Sequence, residues 1–246
     1  MKKIIVACLA VLFLVSCSST DSPVVSQDVL VKKIIETDED GVEITTNFTY
    51  NGNKIVKTVS DDGTRMEFTY TGELITQIKY FEGTTLFQTE SYQYNTLGDM
   101  ETYIILLNTQ NYGAKEVYTY NNDGTIQYTR TLGDLVSQTE SPSTGKLFFT
   151  NGEISKVETY GFGAVNVVNY TYDNKMNPFQ NITGINKITY ADQVVAGFTH
   201  NVLTEVHPSF PSSNVSSVYQ YNSNDYPISS AETSSLGVYN TLYFYE

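Results

Sequence analysis

The residues of this chain that could do chemistry are few, and they lie late in the sequence. His200 and His207 stand seven positions apart with Glu205 between them. Imidazole and carboxylate are metal ligands, and the same groups can act as general bases. A metal site would need a third and usually a fourth ligand with supporting hydrogen bonds, and none is evident nearby in the sequence. His200, Glu205 and His207 are therefore candidates without a complete set, and no metal or cofactor is expected. A Ser/His/Asp triad can be assembled on paper from so many Ser and Asp, but no Gly-x-Ser-x-Gly elbow occurs. Paired carboxylates for glycoside hydrolysis cannot be picked out where acids crowd the turns. No enzymatic activity is expected, no catalytic residue is assigned, and no motif designates a ligand site. A hydrolase with its site in the segment 177–217 is kept as an alternative.

The elements that would position such residues are hairpins. In Tyr118-Thr119-Tyr120 the two rings share one face of a strand and the threonine takes the other. Asn121-Asn122-Asp123-Gly124 then supplies residues that tolerate positive φ, and Thr125-Ile126-Gln127-Tyr128-Thr129 resumes β-type composition. Such a turn between β-rich runs predicts a hairpin. Copies recur: Phe48-Thr49-Tyr50, Phe68-Thr69-Tyr70, Tyr92-Gln93-Tyr94, Phe148-Phe149, Tyr170-Thr171-Tyr172, Tyr219-Gln220-Tyr221 and Tyr243-Phe244-Tyr245. Their second aromatics fall 20, 24, 26, 29, 23, 49 and 24 residues apart. The 49 reads as two steps with one degenerate copy between them, and Lys187-Ile188-Thr189-Tyr190 as its remnant. A step of about 24 residues holds two strands of about 8, each about 27 Å long, and two turns.

The rhythm breaks at Asn177-Pro178-Phe179 and returns near Val215. The expected architecture is all-β: an antiparallel hairpin meander curled into a barrel-like or half-open shell. It carries a short helical or loop insertion near residues 177–217, with helices expected around 179–185 and 191–195. An isolated two-stranded ribbon is marginal, so the repeats from 28 to 246 form one domain. Same-face rings on every hairpin are expected to be its core. The acidic turns Asp38-Glu39-Asp40-Gly41 and Asp61-Asp62-Gly63 lack Ca²⁺-loop spacing and read as hairpin turns.

Residues 1–16 have the form of a secretory leader: Met1-Lys2-Lys3 is basic, and Ile4 to Val15 is apolar but too short to span a bilayer. Leu14-Val15-Ser16-Cys17 resembles the bacterial lipobox. The resemblance implies cleavage before Cys17 and acylation of that residue, and several acyl chains make a stable anchor. Residues 17–27 then form the lipidated Cys and a Ser-rich tether. With Cys8 in the leader and Cys17 lipidated, the body has no thiol.

The Tyr118–Ile126 unit resembles the YD repeat of Rhs-type proteins, although its namesake Tyr-Asp pair survives only at Tyr172-Asp173. The leader, tether, Tyr-x-Tyr hairpins, late Asn-Pro-Phe and terminal aromatic strand together resemble a family of Bacteroidetes-type lipoproteins of unknown function with a porin-like β-fold. The resemblance implies fold and location and carries no catalytic residues.

Of the 14 basic residues, Lys2 and Lys3 leave with the leader; 12 remain against 27 acidic ones, a formal charge of −15. This argues against nucleic acid. Segments such as Lys54–Ser60 and Thr125–Thr131 show no continuous lipid-facing band, as a membrane-spanning barrel would. The expected protein is a monomeric, lipid-anchored envelope or outer-membrane lipoprotein with a binding or scaffold role. Its membrane contact runs through the anchor, on the periplasmic or the surface face. Its partner would be a glycan or an envelope protein, and glycan or oligomer capture in the shell is the alternative.

Overall fold

A computed structural model describes residues 29–161, 163–193 and 195–246; the leader, Cys17 and the tether lie outside the described residues. The described residues fold into sixteen antiparallel strands. The first eight are β1 (Val31–Thr37), β2 (Glu43–Asn51), β3 (Lys54–Ser60), β4 (Thr64–Thr71), β5 (Leu74–Glu82), β6 (Thr85–Tyr94), β7 (Met100–Leu107) and β8 (Tyr112–Tyr120). The second eight are β9 (Ile126–Gly133), β10 (Gln138–Thr150), β11 (Glu153–Gly161), β12 (Ala164–Tyr172), β13 (Val202–Val206), β14 (Val215–Tyr221), β15 (Pro227–Ser234) and β16 (Gly237–Tyr245). Each pairs with its sequence neighbours, and β1 pairs with β16, so the sheet closes into a barrel. Closure removes the unpaired edges that an open sheet would expose.

The pleat sends the paired rings inward. Tyr103 and Tyr128 are 1% exposed, and Tyr92, Tyr118 and Tyr170 are buried with Ile75, Leu147 and Val157 in one core inside the barrel. The residues between them face out, as Thr119 does between Tyr118 and Tyr120. Turn chemistry follows the sequence. Gly124 takes φ +82°, and the Asp123 carboxylate accepts from the Thr125 amide at 3.0 Å. Asp38 is likewise consumed by its own turn, accepting from the amides of Asp40 and Val42 at 3.0 and 2.8 Å.

One device recurs at one end of the barrel. A bulge follows Val31, Ile55, Ile75, Met100, Ile154, Val202 and Pro227. A bulge interrupts the ladder and leaves backbone groups without their strand partner. Tyrosines on the next strand serve these carbonyls. Tyr50 donates to Val31 at 2.6 Å, Tyr94 to Ile75 at 2.6 Å and Tyr120 to Met100 at 2.9 Å. Tyr172 donates to Ile154 at 2.7 Å, Tyr219 to Val202 at 3.2 Å and Tyr245 to Pro227 at 2.6 Å. Tyr70 is the exception: its hydroxyl donates to the Thr183 carbonyl of segment 173–201 at 3.2 Å. The β8–β9 pair has no bulge, and the ring that follows it is Phe149, which has no hydroxyl.

The long step from Tyr172 to Tyr221 differs from the sequence-based expectation. No hairpin is degenerate there: β13 and β14 occupy a normal step, and residues 173–201 replace the tight turn before β13. Lys187 to Tyr190 belong to that replacement and form no strand. The expected helices reduce to single 3₁₀ turns at Ile185–Lys187 and Ala191–Gln193, with a third at Pro211–Ser213. An irregular segment has no period to read, whereas the strands on either side of it do.

Candidate functional site: a plugged lumen with a residual acidic chamber

Segment 173–201 folds into the barrel. Its side chains meet inward-facing groups around the wall. Phe179 packs on Phe48 of β2 with ring centroids 6.2 Å apart, Tyr190 bonds Tyr120 of β8 at 2.8 Å, and Phe198 stacks on Phe149 of β10 at 6.2 Å. The two ends of the segment are pinched together. The Asp173 amide donates to the Asn201 carbonyl at 3.1 Å, and the Asp173 carboxylate accepts from the Asn201 amide, the Asn201 side chain and the Tyr221 hydroxyl.

Two buried wall carboxylates are among the polar groups that hold this plug. Arg130 of β9 donates to Glu116 of β8 at 2.8 Å and also to Asp192 of the plug. Glu116, 1% exposed, further accepts from the Tyr118 hydroxyl and from the Asp192 amide and Gln193 side chain at 3.2 Å each. The two carboxylates raise the Arg130 guanidinium above its usual range against the opposing effect of burial. Asp192 and Gln193 both adopt left-handed backbone, φ 57° and 63°, a conformation non-glycine residues hold only when their surroundings impose it. The second anchor is Glu153, buried on β11. Its carboxylate accepts the consecutive amides of Phe198, Thr199 and His200 at 2.8, 2.8 and 3.0 Å.

Burial pushes the Tyr128 hydroxyl up to about 12, so it stays protonated. It reaches Thr159 at 2.8 Å and Gln193 of the plug at 3.0 Å. Its ring crosses Gly145 of β10, where an added Cβ would lie 2.1 Å from the ring's Cζ. That glycine is there because the ring needs its space.

The three residues singled out by spacing do not converge. Glu205 Oε1 and His207 Nε2 are 2.7 Å apart, facing the lumen side of β13, while His200 Nδ1 lies 3.3 Å from Glu153 on the plug anchor. Among the described residues no cluster of three or more His, Cys, Asp or Glu could hold a metal.

What the plug leaves open is a chamber against β13–β16. A cavity of about 210 Å³ is lined by Phe179 and Val202, by Glu205 and Glu232, and by Tyr219 and Tyr243. It continues past Val215 and Glu232 into a wider mouth of about 560 Å³ bordered by Leu236 and Tyr239. Neither space is lined by Lys or Arg. Burial raises the Tyr243 hydroxyl, and the nearby carboxylates of Glu36 and Glu232 add to the shift. Glu36 itself is raised by desolvation, although the residue is exposed by surface area.

No protein-family profile matches this chain. No curated protein matches it either. Among solved structures it is similar to a porin-like protein from Bacteroides uniformis: TM-score 0.53, 12% identity, 88% of this chain and 98% of that one covered. The likeness is one of fold.

Sequence reasoning missed Glu116, Arg130, Glu232 and Glu36 as lumen residues. The signal was parity. Glu116 lies two before Tyr118 and Arg130 two after Tyr128, so both share the aromatic face. Glu90 does the same before Tyr92 and accepts from its hydroxyl.

Proposed function

We propose that the protein is a lipid-anchored envelope protein whose barrel is a binding vessel and not an open channel. The observation that carries this reading is the plug: a pore would need a clear lumen, and here the Arg130–Glu116–Asp192 contacts and the Glu153 amide cradle fasten chain across it. The lipobox-like Leu14-Val15-Ser16-Cys17 supplies the anchor in this reading. The porin-like neighbour suits an envelope setting.

The chamber is the binding place. Carboxylates at Glu205 and Glu232 accept hydroxyl donors, the Tyr219 and Tyr243 rings offer faces for stacking, and the lining has no cation to attract an anion. That chemistry suits a small neutral polyhydroxylated ligand such as a short glycan. The chain has no tryptophan, so tyrosine fluorescence reports the chamber without interference from tryptophan. Neutral oligosaccharides should change that signal saturably in the wild type and not in Glu232→Lys. A flat response across neutral sugars, or equal binding by the variant, rejects the ligand reading. The anchor is tested separately by metabolic acyl labelling of wild type against Cys17→Ala; equal labelling rejects it.

A further inference from the structure

We infer that the outer face of β12–β16, with the flank of β1, is a lipid-contacting face on which the barrel lies against a bilayer. This rests on the lipid-anchor reading above for what brings the bilayer near. The face itself is defined by the sheet.

Around most of the barrel the outside is charged. Lys57 and Lys79 pair across strands with Glu67, Arg65 bonds Glu67 at 2.9 Å, and Lys156 bonds Glu158 at 2.6 Å. On β12–β16 the outward positions change character. Val165 of β12, Val206 of β13, Val218 of β14, Ile228 of β15, and Val238, Leu242 and Phe244 of β16 are all solvent-exposed, Val218 at 70%. Between the rims these strands present no outward acid, because Glu205 and Glu232 line the chamber inside. In a chain with 27 acidic residues that is a marked gap. The charges on the flank are the Lys32–Glu246 pair at the rim, 2.6 Å apart, and Lys33 of β1, whose Nζ sits 4.1 Å over the Phe244 ring. A lysine whose stem lies along apolar surface can extend its ammonium to a phosphate headgroup.

The choice of a bilayer over a second copy rests on shape and on where the chain enters. Two rigid convex barrels touch along a strip, whereas a stable interface buries roughly 800 Å² per partner. Lipid conforms to a curved wall. The first described residues also join the barrel beside this face: the Leu30 carbonyl accepts from the Glu246 amide at 3.1 Å, and β1 pairs with β16. Serines, threonines and amides stand between the apolar residues (Ser216, Gln220, Asn240), which fits shallow contact at the headgroup–acyl boundary and not a spanning wall.

The test uses the full chain, processed in a bacterium that makes lipoproteins and reconstituted in phosphatidylcholine vesicles containing spin-labelled phosphatidylcholine. The body has no cysteine, so Val218→Cys on β14 and Gln93→Cys on β6, opposite it in the barrel, each take one fluorophore. Lipid quenching about tenfold stronger at 218 than at 93 is expected, because only a probe within the interfacial region meets the label. Equal quenching at the two positions, or none at 218, overturns the proposal. Self-quenching at 218 that grows with protein density, without lipid quenching, also overturns it and assigns the face to a second copy. A Cys17 thiol that itself takes the fluorophore shows that the anchor reading has failed. The Cys17→Ala chain with added vesicles then decides the face alone: quenching at 218 supports it, and its absence overturns it.

Discussion

The Tyr94 hydroxyl donates to the Ile75 carbonyl at 2.6 Å, across one strand and 19 residues back along the chain. Ile75 immediately precedes a bulge, and the hydroxyl supplies the partner that the interrupted ladder withholds. The same pairing of bulge and tyrosine runs round one end of the barrel. It gives the second aromatic of five repeats, Tyr50, Tyr94, Tyr120, Tyr172 and Tyr245, a polar duty besides its packing.

Tyr94→Phe should therefore lower stability by about 1–2 kcal/mol, since a buried carbonyl loses its donor while packing is kept. Phe149→Tyr should bring no gain and a loss of up to about 1 kcal/mol, because the adjoining β8–β9 pair has no bulge to serve and the ring is stacked on Phe198. Urea denaturation of the two variants measures the asymmetry; equal effects would remove the pairing.

Arg130→Met should cost about 3–5 kcal/mol, because it strands the buried Glu116 carboxylate. The double variant Arg130→Met with Glu116→Gln should recover part of that loss. Hydrogen exchange should quicken in 173–201 before it quickens in the strands, since the plug loses its tie at Asp192.

Gly145→Ala should destabilise the barrel by about 1–3 kcal/mol through overpacking against the Tyr128 ring. Displacing the ring also breaks its bonds to Thr159 and Gln193, so the variant should loosen the plug as Arg130→Met does. Thermal melting with exchange mapping of 173–201 checks both effects together.

Burial raises Glu90 above its ordinary carboxylate value of 4.5, against the opposing bonds from Tyr92, Tyr80 and Gln88. The native state then holds its proton where the unfolded chain has released it. Stability from this group is complete below about 4.5 and falls as pH rises through the raised value. Glu90→Gln should flatten that decline, gaining on wild type as pH rises from about 4.5 to neutrality. Denaturation midpoints across that range give the slope; parallel curves for the two proteins would reject Glu90 as its source.

Much of the fold could be read from local pattern. Rings two residues apart must share a face of a strand, and Asx-Gly turns close adjacent strands, so the Tyr118–Ile126 unit fixes a hairpin by itself. Eight such units fix an antiparallel meander with its aromatics on one side. Parity puts Glu116 and Arg130 on that side too, a signal the sequence analysis did not use, and their meeting with the plug depends on which strands become its neighbours.

Tertiary structure alone decided three things. The pairing of β1 with β16 joins the two ends of the sheet, and no local signal encodes a contact between Val31 and Tyr245. The destination of 173–201 was equally hidden: an aperiodic segment can cover a barrel or enter it, and the bonds that send it inward come from Glu153, Arg130 and Tyr120 on separate strands. The chamber is the volume this segment fails to fill, a difference between two shapes. The sequence by itself determined the ribbon and the inward rings, since each is set by residues within a few positions of one another. Closure, plug and chamber were settled by contacts between residues far apart in the chain.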